Sequence, residues 1–161
     1  MKINTIKPNN FDKIFKELLK NKKKKGVASA RIDFESICVD DKIKLILFLI
    51  SDGVNIENIL YKILFWEDDA KIENYINKNF PKEKFTKIKP YKNQAEAGVF
   101  FIEENEINIK FLKSILLRHF NFELAKNPAL NMRVFLFIKI KNKFSILLDI
   151  YDDRGCYIHY I

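Results

Sequence analysis

The densest group of chemically active side chains lies near the C-terminus, in the pentapeptide Tyr151-Asp152-Asp153-Arg154-Gly155. A hydrophobic strand leads into it and delivers two carboxylates and a guanidinium to a tight turn. Paired carboxylates of this kind can hold a metal ion or share a proton in acid–base catalysis. In the structural interpretation, Asp accepts backbone N–H groups, Gly supplies a positive φ, and Arg pairs with a carboxylate or stacks on Tyr151. The pattern favours the structural interpretation over a protein contact and over catalysis.

A carboxylate metal site usually gathers further acidic ligands, and this chain offers them without a defined spacing. The other acidic candidates are Glu67, Asp68, Asp69, Glu103 and Glu104. A metal-dependent hydrolase that uses Asp152 and Asp153 is therefore an alternative without a supporting motif.

The two histidines and two cysteines form no recognisable catalytic or metal motif. His119 and His159 lack the spacing that zinc sites use, and Cys38 and Cys156 form neither a CxxC pair nor a disulfide framework. Residues three apart on a strand point to opposite faces, so His159 is not placed to activate the Cys156 thiol. We therefore expect Cys156 to be a buried structural thiol and not a nucleophile. The glycine motifs for nucleotides and the GxSxG nucleophile motif are also missing from the sequence. We therefore expect no catalytic residue, no metal ligand and no cofactor.

The formal net charge is +8, and 25 of the 29 basic residues are lysines. Nucleic-acid recognition usually relies on arginine for bidentate contacts, and this chain has four arginines. Much of the lysine excess is what an AT-rich genome encodes. The Lys-rich segments 20–25 and 82–92, with Tyr91 available for stacking, keep nucleic-acid binding open as a second alternative.

The N-terminal part of the chain contains two clear patterns and one ambiguous segment. Apolar residues at helical spacing predict an amphipathic helix over 10–22. The lysine run 22–25 follows it and favours a solvated helix end. Alternating residues predict a strand over 27–34. The segment 40–52 is apolar on every side, so it fits either a central strand or a buried helix, and we favour the helix.

The rest of the chain alternates between strands and helices. Residues 81–96 are polar and lysine-rich, which predicts a mobile surface loop. The other predicted elements are strands over 59–66, 99–102, 133–141 and 144–151, a short strand through Tyr157 and His159, and helices around 72–80 and over 107–120. Together they predict a single α+β domain over 1–161, with an antiparallel sheet packed against three or four helices.

Length and composition limit where such a protein works. A chain of 161 residues that is 48% hydrophobic can bury a substantial core. The longest apolar run, 45–50, is too short to cross a bilayer, and the N-terminus lacks a signal-peptide pattern. The sparse cysteines fit a reducing compartment. We therefore expect a soluble cytoplasmic protein with no membrane contact.

The C-terminal third resembles a bacterial domain family of unknown function whose members end in a strand-borne Tyr-Asp-Asp-Arg-Gly signature. The segments that carry the resemblance are 107–112, 134–137 and 149–155. The family pattern continues with an Asp two residues after the glycine. This chain has Tyr157 there, so no carboxylate role carries over to that position.

Members of that family look like small accessory proteins encoded beside polymorphic toxins. The resemblance therefore implies an immunity-type protein that binds and neutralises a cognate bacterial toxin domain by direct contact, as in contact-dependent growth inhibition. Such interfaces take their energy from aromatic and arginine anchors, and a basic protein suits an acidic toxin surface. The partner-binding candidates are Tyr151, Asp152, Asp153, Arg154 and Tyr157.

Overall fold

A seven-stranded antiparallel sheet forms the centre of the molecule. In this computed structural model the described residues are 28–51, 56–66, 69–81, 85–88, 98–140 and 145–160. The predicted helix over 10–22 and the lysine run 22–25 lie outside them. The strands are β1 (Ala28–Asp33), β2 (Ile56–Phe65), β3 (Phe85–Ile88), β4 (Gly98–Glu104), β5 (Met132–Ile140), β6 (Ser145–Asp152) and β7 (Gly155–Tyr160), and they are ordered β1-β7-β6-β5-β2-β4-β3 across the sheet.

The described part of the chain also contains three helices, which are α1 (Val39–Ser51), α2 (Asp69–Asn79) and α3 (Ile109–Glu123). The ambiguous segment 40–52 thus forms a helix as far as Ser51, as favoured from the sequence. Two acidic residues lie in its first turn, where they interact favourably with the positive end of the helix dipole. Ile43, Ile46 and Ile50 are buried at helical spacing. A helix with a buried apolar face therefore accounts for the dense apolar run, and no strand is needed to explain it.

Alternate residues of each strand face opposite sides of the sheet, and both sides are apolar in the centre. One side, the helix face, joins the buried side chains of α1, α2 and α3 in the main core, where Ile59, Tyr61 and Ile63 of β2 lie. The opposite side, the far face, has its own apolar cluster of Leu60, Phe101, Phe135, Phe137 and Leu147. Each member of this cluster is at most 6% exposed. Because these central strands are buried on both faces, their sequences are nearly continuous apolar runs.

Aromatic rings connect the helices to the sheet on the helix face. The Phe111 ring of α3 packs edge-on against Tyr61 of β2 at 5.5 Å and against Phe80 at 4.4 Å, measured between ring centroids. Tyr75 of α2 lies 6.2 Å from the same ring. Edge-to-face pairs at these distances add to the free energy of burial, so Phe111 fixes α2 and α3 against β2.

One sequence prediction was wrong within segment 81–96, because residues 85–88 form strand β3. Phe85 packs on Phe100 of β4 with ring centroids 5.6 Å apart, and Lys87 pairs with Glu73 of α2 at 3.2 Å. A short, lysine-bearing strand is typical of a sheet edge, where lysine discourages further pairing. The strand is short and lies within the polar, lysine-rich segment 81–96, whose overall composition resembles that of a loop.

The class prediction is confirmed at the level of an α+β fold. The described residues form one unit in which three helices and an antiparallel sheet share a core. The other predicted strands and helices that fall within the described residues are present, with ends that differ by a few residues. None of the described helices is long and apolar enough to span a membrane.

We predict that Gly98→Ala destabilises the fold through the Phe65 ring. A Cβ atom at residue 98 would overlap that ring, reaching Cε1 at 2.9 Å. Phe65 is fully buried and stacks on Phe100 at 5.2 Å, so it cannot move away freely. Urea unfolding should show a loss of about 1–3 kcal/mol in the free energy of unfolding.

The matched control for this substitution is Phe65→Leu, which removes the ring atoms that clash. The double variant should lose about 1 kcal/mol less in the free energy of unfolding than the sum of the losses in the two single variants. Simple additivity of the two costs would contradict the proposed clash.

Candidate functional site

The sequence-predicted pentapeptide forms the reversal between β6 and β7. Strand β6 ends at Asp152, β7 begins at Gly155, and Asp153 and Arg154 form the turn between them. A register shift between Ile150 and Asp152 marks an irregularity just before the turn. Such bulges re-aim neighbouring side chains, and the side chains of this segment do lie in different surroundings.

Asp152 is engaged by Arg154 of the same turn. Its Oδ1 accepts the backbone N–H of Arg154 at 2.8 Å, and its Oδ2 accepts Nε and Nη2 of Arg154 at 2.8 and 2.6 Å. The first contact is an Asx turn and the other two are charge-assisted. Asp152 is buried, whereas the Arg154 side chain is 66% exposed. The arginine therefore satisfies the carboxylate and leaves its own surface in solvent.

Asp153 is held mainly through its main chain. Nζ of Lys42, on α1, donates to the carbonyl oxygen of Asp153, while the Asp153 carboxylate lies 3.9 Å from that Nζ. Lys42 is 4% exposed, and its Nζ lies 5.6 Å from the centre of the Phe120 ring. A buried ammonium is costly without such partners. The contact therefore fixes the turn to α1.

The same turn is attached to the end of β1. The backbone N–H of Phe34 donates to the carbonyl oxygen of Arg154 at 2.8 Å, and Gly155 pairs with Asp33. The predicted positive φ at Gly155 was wrong, because its backbone lies outside that region. Glycine is required there for close approach, since a Cβ atom would lie 2.8 Å from the carbonyl oxygen of Ile32.

The two tyrosines of the predicted site lie on the far face. Tyr151 and Tyr157 are half-buried and stack with ring centroids 5.4 Å apart and an interplanar angle of 26°. Arg133 of β5 lies beside them, 5.9 Å from the Tyr151 ring centre. Its Nε and Nη2 donate to Oδ1 and Oδ2 of Asp149 at 3.0 and 2.8 Å. We refer to Arg133, Asp149, Tyr151 and Tyr157 as the tyrosine–arginine patch.

The patch presents the guanidinium group of Arg133, whose position is fixed by the more deeply buried Asp149. The Asp149 side chain is 8% exposed and the Arg133 side chain is 37% exposed. A bidentate carboxylate holds the guanidinium plane in one orientation, and the ring of Phe135 supports it at 4.9 Å. The patch therefore offers two rings and one cation in a fixed arrangement.

The histidines and cysteines occupy separate, mostly structural environments. Nδ1 of His119 lies 2.7 Å from the carbonyl oxygen of Met132, and burial lowers the pKa of His119 to about 4. Cys156 belongs to the main core, where burial raises the pKa of its thiol to about 12. His159 pairs with Ser29 at 2.9 Å. Cys156 and His159 lie on opposite faces, as strand alternation predicts.

Two of the other acidic candidates, Glu103 and Glu104, lie on β4, which β2 and β5 separate from the strands of the turn. Glu103 accepts a hydrogen bond from Asn58 at 2.6 Å. Glu123 of α3, which was not a candidate from the sequence, lies near the turn, and burial first, then the charges of Asp153 and Asp152, raise its pKa. Within the described ranges, no group of three His, Cys, Asp or Glu side chains could hold a metal ion. Glu67, Asp68 and the side chain of Asp69 lie outside the described part of the chain.

The Lys-rich segments that suggested nucleic-acid binding are largely outside the described residues. Segment 20–25, Tyr91 and most of 82–92 belong to that part. Lys87 is described, and it pairs with Glu73 and lies 5.7 Å from the centre of the Phe100 ring. This lysine is thus engaged within the chain.

Sequence reasoning missed Arg133, Asp149 and Lys42. Alternation along 144–151 places Asp149 and Tyr151 on one face, so two members of the patch carried a usable signal. Arg133 joins them through the pairing of β5 with β6, in which Phe135 lies opposite Asp149. Lys42 is 111 positions from Asp153, and no local pattern indicates that contact.

Comparison of the chain with protein-family models, with curated proteins and with solved structures finds no match. The resemblance of the C-terminal third to the Tyr-Asp-Asp-Arg-Gly family stays a prediction.

We predict that Asp152→Ala lowers the free energy of unfolding by about 1–2 kcal/mol, because three hydrogen bonds to Arg154 are lost. Urea unfolding measures this loss. Asp153→Ala is the matched control, since Lys42 binds the main-chain carbonyl of Asp153, and its cost should be smaller. Equal costs for the two substitutions would contradict the different roles assigned to the two carboxylates.

We predict that stability falls with acidification because of His119. Its pKa is about 4 in the fold, below the ordinary value of 6.5. The contribution of neutral His119 to the free energy of unfolding is therefore complete above about pH 6.5 and is lost as the pH falls toward about 4. From about pH 7 to about pH 5 the loss should be on the order of 2 kcal/mol.

Other groups also titrate in this range, so the pH dependence of the parent is compared with that of His119→Gln, whose side chain is not protonated at these pH values. The parent should lose more stability than the variant between the two pH values in urea unfolding. Parallel pH profiles for the two proteins would contradict the prediction.

Proposed function

We propose that this chain is an immunity-type protein, which binds and neutralises a cognate bacterial toxin domain by direct contact and without catalysis. The observation that carries the proposal is the tyrosine–arginine patch on the far face. It combines two stacked, half-buried tyrosines with a guanidinium held by a buried carboxylate.

The residue types of the patch are those that dominate protein–protein binding energy. Tyrosine and arginine are enriched among interface residues whose truncation costs most. Here the rings of Tyr151 and Tyr157 already stack on each other and Asp149 already orients Arg133. Such preorganisation reduces the entropy lost on binding, which supports a tight, specific contact.

The turn supports the patch from one end. Asp152 and Asp153 make their contacts inside the chain, with Arg154 and Lys42. In this proposal they position the strand that carries Tyr151 and do not touch the toxin. Arg154 is exposed and lies between Tyr151 and Tyr157 in sequence, so in this proposal it belongs to the rim of the interface.

The net charge indicates the chemistry of the partner. A charge of +8 attracts an acidic surface and accelerates its association. We therefore propose an acidic toxin domain whose contact surface accepts the guanidinium of Arg133. The proposal places the complex in the cytoplasm of the bacterium that makes both proteins.

The test measures the affinity of the chain for a co-encoded toxin domain, which this proposal expects beside its gene. Tyr151→Ala should weaken binding by about 2 kcal/mol, roughly thirtyfold in Kd, because a central aromatic anchor is lost. Arg133→Lys should weaken it as well, since lysine cannot make the bidentate contact with Asp149. Isothermal titration calorimetry gives both values.

Phe122→Ala is the control, because Phe122 is an aromatic residue on α3 with 37% exposure and lies away from the patch. Its Kd should match that of the parent. Failure of the parent to bind or to protect cells against the toxin-like domain would refute the proposal, and so would unchanged affinity in Tyr151→Ala. Salt-sensitive binding to oligonucleotides in its place would favour the nucleic-acid alternative.

A further inference from the structure

The helix side of the molecule has a second surface feature, a groove between α1 and α3. The open groove has a volume of about 460 Å³, within the size range of protein ligand sites. Ile43 of α1 and Leu117 of α3 contribute apolar surface to it. Because it lies on the helix side, the groove is separate from the tyrosine–arginine patch.

Lysines line this groove. Lys44 of α1 and Lys110 and Lys113 of α3 contribute to its lining, together with a single carboxylate, that of Asp40. Lys44 pairs with Asp41 at 2.8 Å. Lys110 and Lys113 are exposed and make no ion pair with a described residue. The groove therefore has an excess of positive charge, part of which is uncompensated.

The groove continues toward exposed apolar side chains. Phe48 lies one helical turn beyond Lys44 on the same side of α1, and it is 59% exposed. Ile109 begins α3, one turn before Lys113, and it is 49% exposed. These are the two largest exposed fractions among the large hydrophobic residues described.

Phe48 and Ile109 lie at the same end of the groove. The start of α1 borders a neighbouring pocket together with Asn121, near the end of α3. Lys44, further along α1, lines the groove together with Lys110, near the start of α3. The two helices therefore run in opposite directions. Following α1 toward its C-terminus leads to the start of α3, where Ile109 is found.

We infer that this groove docks an acidic amphipathic helix of a partner protein. The apolar side of such a helix would cover Phe48 and Ile109 and contact Ile43 and Leu117. Its carboxylates would pair with Lys110 and Lys113. This is the mode in which an amphipathic helix binds a groove between two helices, and charge complementarity selects an acidic one. The inference does not depend on the proposed function, since the two surfaces share no residue.

The test uses a synthetic helical peptide of about 20 residues, long enough to be partly helical alone. Leu and Phe form one face and Glu fills the other positions. A second peptide has Lys in place of every Glu. Fluorescence anisotropy of the labelled peptides at low and high salt should show binding of the acidic peptide, weakened by salt, and weaker binding or none of the basic one.

Variants assign the binding to the groove. Lys110→Glu combined with Lys113→Glu should raise the Kd of the acidic peptide by roughly tenfold, and Phe48→Ser should raise it by a similar factor. Lys78→Glu, an exposed lysine near the end of α2, is the matched control and should leave the Kd unchanged. All four substituted side chains are exposed, and thermal unfolding checks that each variant is folded.

Three outcomes of the peptide measurements would overturn the inference. They are absence of binding by the acidic peptide, equal binding of the acidic and basic peptides, and unchanged affinity in the charge-reversed variant. Self-association of the parent that Phe48→Ser abolishes would assign the groove to a second copy of the chain and would also contradict it. Loss of toxin binding in Tyr151→Ala does not bear on this test.

Discussion

The ammonium group of Lys42 is almost fully removed from water, and its donation to the carbonyl oxygen of Asp153 connects α1 to the turn that ends β6. A buried cation requires a partner in a fixed position. The turn is constrained in return, because Phe34 donates to Arg154 and Asp152 accepts from the same residue. One short segment thus joins the last two strands to β1 and to the helix layer. The position of Tyr151, which immediately precedes this turn, follows from that connection.

The assignment of elements from sequence succeeded where one periodicity dominated, and the site was predicted only in part. Segment 27–34 alternates clearly, and its residues 28–33 form β1. Segment 40–52 is apolar on all sides and fits either element, and the helix that we favoured is present as far as residue 51. Strand β3 was missed because it is a short edge strand within a polar, lysine-rich segment that has the composition of a loop. At the turn, the Asx contact of Asp152 follows from local chemistry. The anchor of the turn, Lys42, and the cation of the patch, Arg133, do not follow from local chemistry, since both come from distant elements. The need for Gly155 arises from the close approach of β1.

The pentapeptide separates into two kinds of residue. The carboxylates of Asp152 and Asp153 are directed to cations of the chain itself, and the tyrosine beside them stacks in a surface patch with Tyr157 and Arg133. A sequence motif with two adjacent acids suggests metal or proton chemistry. In this fold the acids serve the geometry of the turn, and the neighbouring aromatic side chains are the ones available to another molecule. On the opposite side of the sheet, the lysine-lined groove between α1 and α3 offers a second surface of different chemistry.

The central claim is that the carboxylates of the turn are internal and that the tyrosines make the contact. It is tested most directly by NMR of the chain labelled with ¹³C in the Asp carboxyl and Tyr ring carbons, titrated with the cognate toxin domain that the proposed function requires. The account predicts that the ring signals of Tyr151 and Tyr157 shift on binding, while the carboxyl signals of Asp152 and Asp153 stay in place. Shifts of the two carboxyl signals with unchanged tyrosine rings would contradict it.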